Sequence, residues 1–473
     1  MRAFQKNKTA AFFGLISLPS TAMGFALSIQ ISALSWILTT QYGLDIHDIG
    51  LVWAAGPIAG IFGQVIIGVW SDRVWLWSGR RRPFILVGGT IAALMLLALP
   101  NIDVISSALG FEAILGVALV VVLSLDFAIN VGFNPTRSII ADVTPDGVER
   151  TKGYTWMQTV SGSFGVGAYA IGAIWDNYVL IYVAVVLVLL FSLIPPFLVE
   201  EPESLNAEEE AAAAAAGKTS FGGMLMAIQP LWGFLIYDIY AMSLRLAGIE
   251  HEHYYAEIIC GLLTVVLVVR ALFARDTGAD TARNHMIGFR QVLAAHSFSW
   301  IGIQTTFVFL VIYLQDILAY LDGIAIGRIG STSFLVLNAV GALLPVLALE
   351  PLTERIGRVK THTLSLAIMT AGYIGLYLLG NSPASIYLLM AVVGVGWASI
   401  VSLPFAIFSQ KIGKDEMGLY MGLFNLSVVL PQLVVSLGIS LLVSRADDLR
   451  IIFIVSAIAL AISTLSWTRV REN

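Results

Sequence analysis

One acid, one amide and one guanidinium interrupt an apolar run in this chain: Asp126, Asn130 and Arg137. On an α-helix, Asn130 lies about 40° around the axis from Asp126, and Arg137 about 20°. The three therefore share one face. A charged carboxylate inside a bilayer is expensive, which makes an intramembrane acid a functional site by default. The chemistry open to Asp126 is binding and releasing a proton, because desolvation disfavours the ionised form. Asp126 and Arg137 are about 16 Å apart along the axis and cannot pair on a straight helix. Pro135 is placed to kink the helix between them, and Arg137 then meets another helix or a bound ligand. The competing reading is structural, with Asp126 held by a partner elsewhere and Arg137 paired with Asp142.

The rest of the composition says what surrounds these groups. Of 473 residues, 58% are hydrophobic and only 12% charged, against about 25% charged in a soluble domain. The mean hydropathy is +0.86. A water-soluble fold of this length cannot hide so much apolar surface, and a bilayer removes the difficulty. The net charge of -5 is small, and no basic block points to nucleic acid. The single cysteine, Cys260, excludes an internal disulfide framework and reads as a small packed hydrophobe. His251, Glu252 and His253 lack the second ligand pair a closed metal site needs. No phosphate-binding loop is present, and no nucleophile stands with a base, so neither an enzyme nor a cofactor is implied. The basic stretch Met1 to Lys8 leads into apolar residues from Phe12 to Thr40 without a small-residue cleavage site, which predicts a retained first transmembrane helix.

A spanning helix needs about 20 mostly apolar residues. The sequence predicts spans near 18–40, 47–70, 83–101, 111–140, 154–174 and 178–199. A second six follow near 295–316, 329–350, 361–380, 384–408, 417–442 and 449–469. Two further apolar runs, near 222–245 and 256–273, predict an inserted helical hairpin that crosses twice or, alternatively, a pair of interfacial helices. The expected organisation is an N-terminal six-helix bundle (1–199), a cytoplasmic linker (200–221), the hairpin with a basic amphipathic connector (222–294), and a C-terminal six-helix bundle (295–473). The linker, with Glu208-Glu209-Glu210 and six alanines, reads as a solvated or weakly helical connector. Lys and Arg concentrate in alternate loops, among them Arg73, Arg80, Arg81, Arg82, Arg150, Lys152, Arg275, Arg355, Arg358 and Lys360. By the positive-inside rule both termini are then cytoplasmic.

Two of those basic loops repeat one another. Gly68-x-x-Ser71-Asp72-Arg73 followed by Gly79-Arg80-Arg81-Arg82 has a counterpart in Thr353-Glu354-Arg355-Ile356-Gly357-Arg358. Each places an acid-Arg pair before Gly-Arg, at equivalent points of the two halves. The pattern resembles the loop signature of the major facilitator superfamily. Parallel repeats of that kind imply a substrate site near the midplane, between the repeats. The expected role of Asp72, Arg73, Arg80, Glu354, Arg355 and Arg358 is a gate. Asp72 would accept from a helix N-terminus, and the arginines would pair with acids of adjacent helices.

The resemblance narrows further. Gly56-Pro57-Ile58-Ala59-Gly60, Gln64, Ser71-Asp72-Arg73 and Gly79-Arg80-Arg81-Arg82-Pro83-Phe84 look like the sucrose/proton symporter family, of the glycoside-pentoside-hexuronide type. Asp126, Asn130, Pro135, Arg137 and Asp142 match its fourth helix. Leu337-Asn338, Ser402-Leu403-Pro404-Phe405-Ala406, and Gly422-Leu423-Phe424-Asn425 with Pro431-Gln432 match later helices. Phe133 stands where that family has glutamine, Val65 where it has proline, and Gln315-Asp316 where it has a longer charged helix end. The resemblance implies an all-α membrane protein of major facilitator fold. It also implies a monomer of the inner membrane carrying a disaccharide, of sucrose or maltose type, together with a proton. Asp126 would be the coupling acid and Arg137 an essential residue. Inward polar groups for a sugar would be Gln30, Gln64, Asn130, Gln158, Gln304, Asp316, Asn338 and Asn425. A different sugar, glycoside or peptide cargo on the same scaffold, or a sugar sensor that does not transport, stays open on the residues alone.

Overall fold

The computed structural model describes residues 5, 7–61, 75–110, 113–145, 148–201, 221–249, 253–274, 281–409 and 417–471. Among them, every regular element is helical. Ten helices are long and apolar enough to cross a membrane. Hydrocarbon offers no partner to a backbone amide, so a spanning segment closes its hydrogen bonds on itself. The contacts divide the chain into two compact units, Met1–Leu205 with Leu314–Leu335, and Asn206–Tyr313 with Val336–Asn473.

In the first unit, α1 (Ala10–Thr40), α2 (Ile46–Ile61), α3 (Arg82–Leu109), α4 (Ile114–Val143), α5 (Val148–Ile174) and α6 (Asn177–Leu198) follow one another. Polar side chains start several of them. Thr9 accepts from the Phe12 amide at 3.3 Å, Asp45 from Asp48 at 2.8 Å and Asp176 from Val179 at 2.8 Å. Hydroxyls buried along α1 bond the carbonyl four residues back, as Ser17 does to Phe13 and Thr21 to Ser17. That is how a polar residue lives inside an apolar helix. α1 is not α-helical throughout, since Gln30–Leu34 form a π-helical turn. Beyond α1, the Tyr42 hydroxyl donates to the Leu99 carbonyl at 2.6 Å and accepts from the Ile102 amide at 3.0 Å. Burial there pushes its proton affinity up. Before α1, Lys8 donates to the Val143 carbonyl at 2.7 Å. Burial lowers its ammonium, against the opposing pull of Glu149.

The start of α3 is fixed by an acid from the other end of the unit. Glu201, just past α6, is buried. Its Oε2 accepts from the backbone amides of Arg80 and Arg81 at 2.7 and 2.8 Å, and its Oε1 from that of Arg82 at 2.8 Å. These are amides that a helix N-terminus leaves unpaired, and the helix dipole favours an anion at that end. Gly79 makes the approach possible, because a Cβ there would lie 2.5 Å from Glu201 Oε1. The solvated reading of the linker therefore fails at its first residues. Residues 202–220, with the alanine tract, lie outside the described residues.

The second unit holds α7 (Trp232–Leu246), α8 (Tyr255–Leu272), α9 (Thr281–Ile317), α10 (Gly323–Leu344), α11 (Arg358–Leu379), α12 (Pro383–Ile400), α13 (Met417–Val434) and α14 (Ile451–Trp467). The last part of α9 and the first part of α10 belong to the first unit. The described part of the basic connector, from Thr281, and the following span form one 37-residue helix, α9, with no break near 294. Small residues let α9 and α14 meet closely. Ser456 donates to the Gly302 carbonyl at 2.7 Å, and Ser299 bonds Ser463 at 2.7 Å. π-helical turns follow α10 at Pro345–Leu349 and α13 at Val435–Ile439.

The Glu201 contact predicts a stability effect. Glu201→Ala leaves three amides without their carboxylate and should cost about 2 kcal/mol, read as a thermal unfolding midpoint several degrees lower in detergent. Gly79→Ala should do the same by displacing the carboxylate. Glu201→Gln, which still offers one acceptor oxygen, should fall between.

Candidate functional site

Asp126 lies in the middle of α4, 4% exposed. Its Oδ1 accepts from Gln30 Nε2 at 2.7 Å. Gln30 opens the π-helical turn of α1, and such turns, which hold one residue more than the α-helix, often mark functional sites. On a further side stands Gly56 of α2, where a Cβ would sit 3.3 Å from Asp126 Oδ1. The glycine of the Gly56-Pro57 motif thus lets α2 come close to the acid. The Asp126 carboxyl is enclosed by three helices and bonded by a neutral amide rather than a cation. A proton can be added to it without breaking an ion pair.

Asn130 Nδ2 donates to the Asp126 backbone carbonyl at 2.8 Å, one turn back. Arg137 has an exposed side chain, and its guanidinium stacks over the Phe133 ring at 4.1 Å. Phe133 is one of the positions that depart from the resembling family. The structural pairing of Arg137 with Asp142 does not occur. Asp142 is taken by Arg81 Nε at 3.0 Å and by Arg80 at 3.9 Å.

The other sequence-selected residues scatter over both units. In the second unit, Gln304 is buried and its Oε1 accepts from Gln432 Nε2 at 3.2 Å. Asn338 Oδ1 accepts from Trp397 Nε1 at 3.1 Å, and Asn425 is half-buried on α13. In the first unit Gln158 is exposed on α5, and Asp316 is exposed near the end of α9. Its neighbour Gln315 donates to Thr39 Oγ1 at 2.9 Å. Gln64, Asp72 and Arg73 lie outside the described residues.

The two loop copies differ. Arg80 and Arg81 are buried against Asp142 and Glu201. Glu354 and Arg355 are exposed, and Arg358 is half-buried after Gly357, whose φ of 88° suits glycine.

The family model described as "Major Facilitator Superfamily" matches residues 17–436. The chain belongs to the major facilitator superfamily. It is therefore a multi-pass membrane transporter. Among relatives of this superfamily member, a protein named "Sucrose transport protein SUC4" from Arabidopsis thaliana is 23% identical over 90% of this chain and 83% of its own length. "Proton-associated sugar transporter A" of Mus musculus is 37% identical over 29% of this chain, and that match spans 19% of its own length. "General alpha-glucoside permease" of Schizosaccharomyces pombe is 30% identical over 33% of this chain and 31% of its own. The fold is shared with the nucleoside transporter NupG, with a TM-score of 0.66 at 12% identity over 97% of this chain and 99% of that one. It is also shared with the POT family transporter PepTSo, with a TM-score of 0.65 at 12% identity over 98% of each chain.

Sequence reasoning passed over Glu201 and Gln432. Glu201 sits in an acidic stretch that reads as linker, so nothing local marks it. Gln432 stands beside Pro431 in a motif, although a lone amide in an apolar helix is the same signal that marks Gln304.

The Gln30 contact gives a functional test. Gln30→Leu removes the side-chain bond that the described residues give this buried carboxyl, and a bond to a charged group is worth about 1.5–3 kcal/mol. The expected result is a loss of transport rate of about tenfold or more. Gln30→Asn, which shortens the reach, should be nearly as impaired. Expression, measured alongside, should stay close to the parent, and the unfolding midpoint should fall by a few degrees, as for Glu201→Ala.

Proposed function

We propose that this transporter carries a disaccharide, of sucrose or maltose type, together with a proton, by alternating access. The observation that carries the reading is the Asp126 carboxyl, buried in α4 and bonded to Gln30 and, among the described residues, to no cation. The names of the relatives support the cargo class: a sucrose transport protein, an α-glucoside permease and a proton-associated sugar transporter.

In the proposed cycle a proton binds Asp126 from outside and removes its charge. Sugar binds next, recognised by the amides and by Arg137, whose guanidinium offers several donors in a fixed plane. The loaded, neutral carrier changes conformation readily. With sugar gone and the proton released, an ionised Asp126 in a low-dielectric surrounding makes the same change costly. Coupling follows from that difference.

Two measurements test this. In proteoliposomes an inward proton gradient should drive accumulation of radiolabelled sucrose or maltose. Asp126→Asn, neutral at every pH, should abolish accumulation while keeping sugar counterflow at a substantial fraction of the parent rate. Accumulation that persists in Asp126→Asn would remove the acid from coupling, and downhill flux indifferent to pH would make the protein a facilitator. We also propose that α7 and α8 cross the membrane once each, leaving both termini cytoplasmic. Reporter fusions after Val199 and after Ala274 should report the cytoplasm, and a fusion at Gly248 the opposite side.

A further inference from the structure

The first part of α10 lies in the first unit, against α1, α5 and α6, and small residues make its contact. Gly323, Gly327 and Ser331 are spaced four apart and so form one stripe along the helix. At Gly323 a Cβ would collide with Thr40. At Gly327 it would lie 2.7 Å from Trp36 Nε1 and 2.9 Å from Asn177 Nδ2. Hydrogen bonds use this closeness. Trp36 Nε1 donates to the Gly323 carbonyl at 2.5 Å, and Gln315, near the end of α9, donates to Thr39 and Thr40 at 2.9 and 3.1 Å. Further along, the Ser331 hydroxyl donates to Asn177 Oδ1 at 2.8 Å. A hydroxyl has one proton to give, so the Ser32 hydroxyl is the donor in its 2.7 Å bond with Ser331. Ser32, Ser331 and Asn177 are each at most 1% exposed. Gly172 of α5 closes over them, since a Cβ there would lie 2.5 Å from Ser331 Oγ.

Ser32 belongs to the same π-helical turn, Gln30–Leu34, as the amide that holds Asp126. Two positions apart, Gln30 and Ser32 lie about 200° apart around α1, on nearly opposite sides. One side bonds the acid of α4, and the other bonds α10. Side-chain contacts on both sides of the turn therefore fix where along α1 its extra residue sits. Moving that residue re-aims the side chains inside the turn and leaves those beyond it on their faces. Gln30 is inside the turn. Releasing Ser32 frees the turn to shift and to take Gln30 away from Asp126.

We propose, on the reading of Asp126 as the coupling acid, that Ser32 and Ser331 are positioning residues for it. They act through the π-helical turn of α1, so that the seating of α10 on α1 and the protonation of Asp126 are linked. α9 and α10 each run from the first unit into the second, which makes their shared stretch the place where a change of conformation reaches α1. The link is mutual: whatever factor the seating imposes on proton binding, proton binding imposes on the seating. Other charges stand well away from the acid. α1 has no ionisable side chain, and those of α2, His47 and Asp48, are about 12 Å or more along the helix from Gly56. α3 carries Arg82 at its start and Asp103 in its last two turns, and on α4 itself Arg137 and Asp142 are about 16 Å or more from Asp126.

Infrared difference spectra of the full-length protein in nanodiscs, taken between acid and alkaline pH with no sugar and no gradient, test this independently of cargo. The protonated-carboxyl band that disappears in Asp126→Asn reports the acid itself. In Ser32→Ala and in Ser331→Ala its titration midpoint should move toward that of Gln30→Leu, by about half a pH unit or more. The two substitutions together should move it no further than either alone, because both remove one contact. In a Gln30→Leu background, Ser331→Ala should have no effect. Ser28→Ala removes an α1 hydroxyl that bonds its own helix at the Gly24 carbonyl, and it should leave the midpoint at the parent value. An Asp126 band that titrates alike in the parent and in Ser331→Ala would overturn the proposal and leave the coupling acid in place, as would a Ser331→Ala shift that persists in Gln30→Leu. A parent with no band assignable to Asp126 would overturn the coupling reading, and the role of the two serines with it.

Discussion

In hydrocarbon an unpaired amide or carbonyl costs several kcal/mol, and the chain is organised around that penalty. Its backbone closes into helices, and its polar side chains close onto the same backbone or onto each other. Ser17, Thr21, Thr305 and Ser365 bond carbonyls one turn back. His362 Nδ1 meets Ser399 Oγ at 2.6 Å, and its ring sits edge-on to Trp467. Against this settled background, a buried acid without a cation is conspicuous. Asp126 has one amide, and Asp238 has no donor among the described residues.

The same rule explains why Glu201 matters more than its place in the sequence suggests. A helix that begins at the membrane edge leaves amides open at its first turn. Here one carboxylate closes three of them. It does so across 119 residues of chain, tying the end of α6 to the start of α3. Gln5 adds a reciprocal pair with the Glu200 backbone, each bond 3.1 Å. The arginines of this loop are then free to address Asp142 with their side chains, since their backbones are already held.

Much of this was legible in the sequence because lipid enforces a coarse pattern. Long apolar runs gave the helices, and the rarity of charge within them gave Asp126. The position of Asp126 relative to Asn130 survives as a one-turn contact, although through the backbone of the acid rather than its carboxyl. Three things were less visible. Period alone could not show that the basic stretch before residue 295 continues unbroken into α9, because an amphipathic connector and the foot of a long helix share one pattern. Arg137 turned to Phe133 on its own helix, a contact that spacing of four permits but does not demand. Asp238 carried the same signal as Asp126, an acid among apolar residues, but the short, aromatic-rich segment around it reads less clearly as a span.

The π-helical turns at Gln30–Leu34, Pro345–Leu349 and Val435–Ile439 have a bearing on ancestry. Each houses one residue beyond what an α-helix of the same length requires. Such a turn is the footprint of a single-residue insertion absorbed without losing the helix. Because the extra residue is absorbed within the turn, deleting it would restore α-helical winding and leave the residues beyond it, Trp36 for instance, on the faces they now occupy. When this chain is aligned with distant members of its superfamily, a one-residue gap in mid-helix at these three places is therefore a structural event, and pairings drawn through them without a gap would assign the wrong face to every residue that follows.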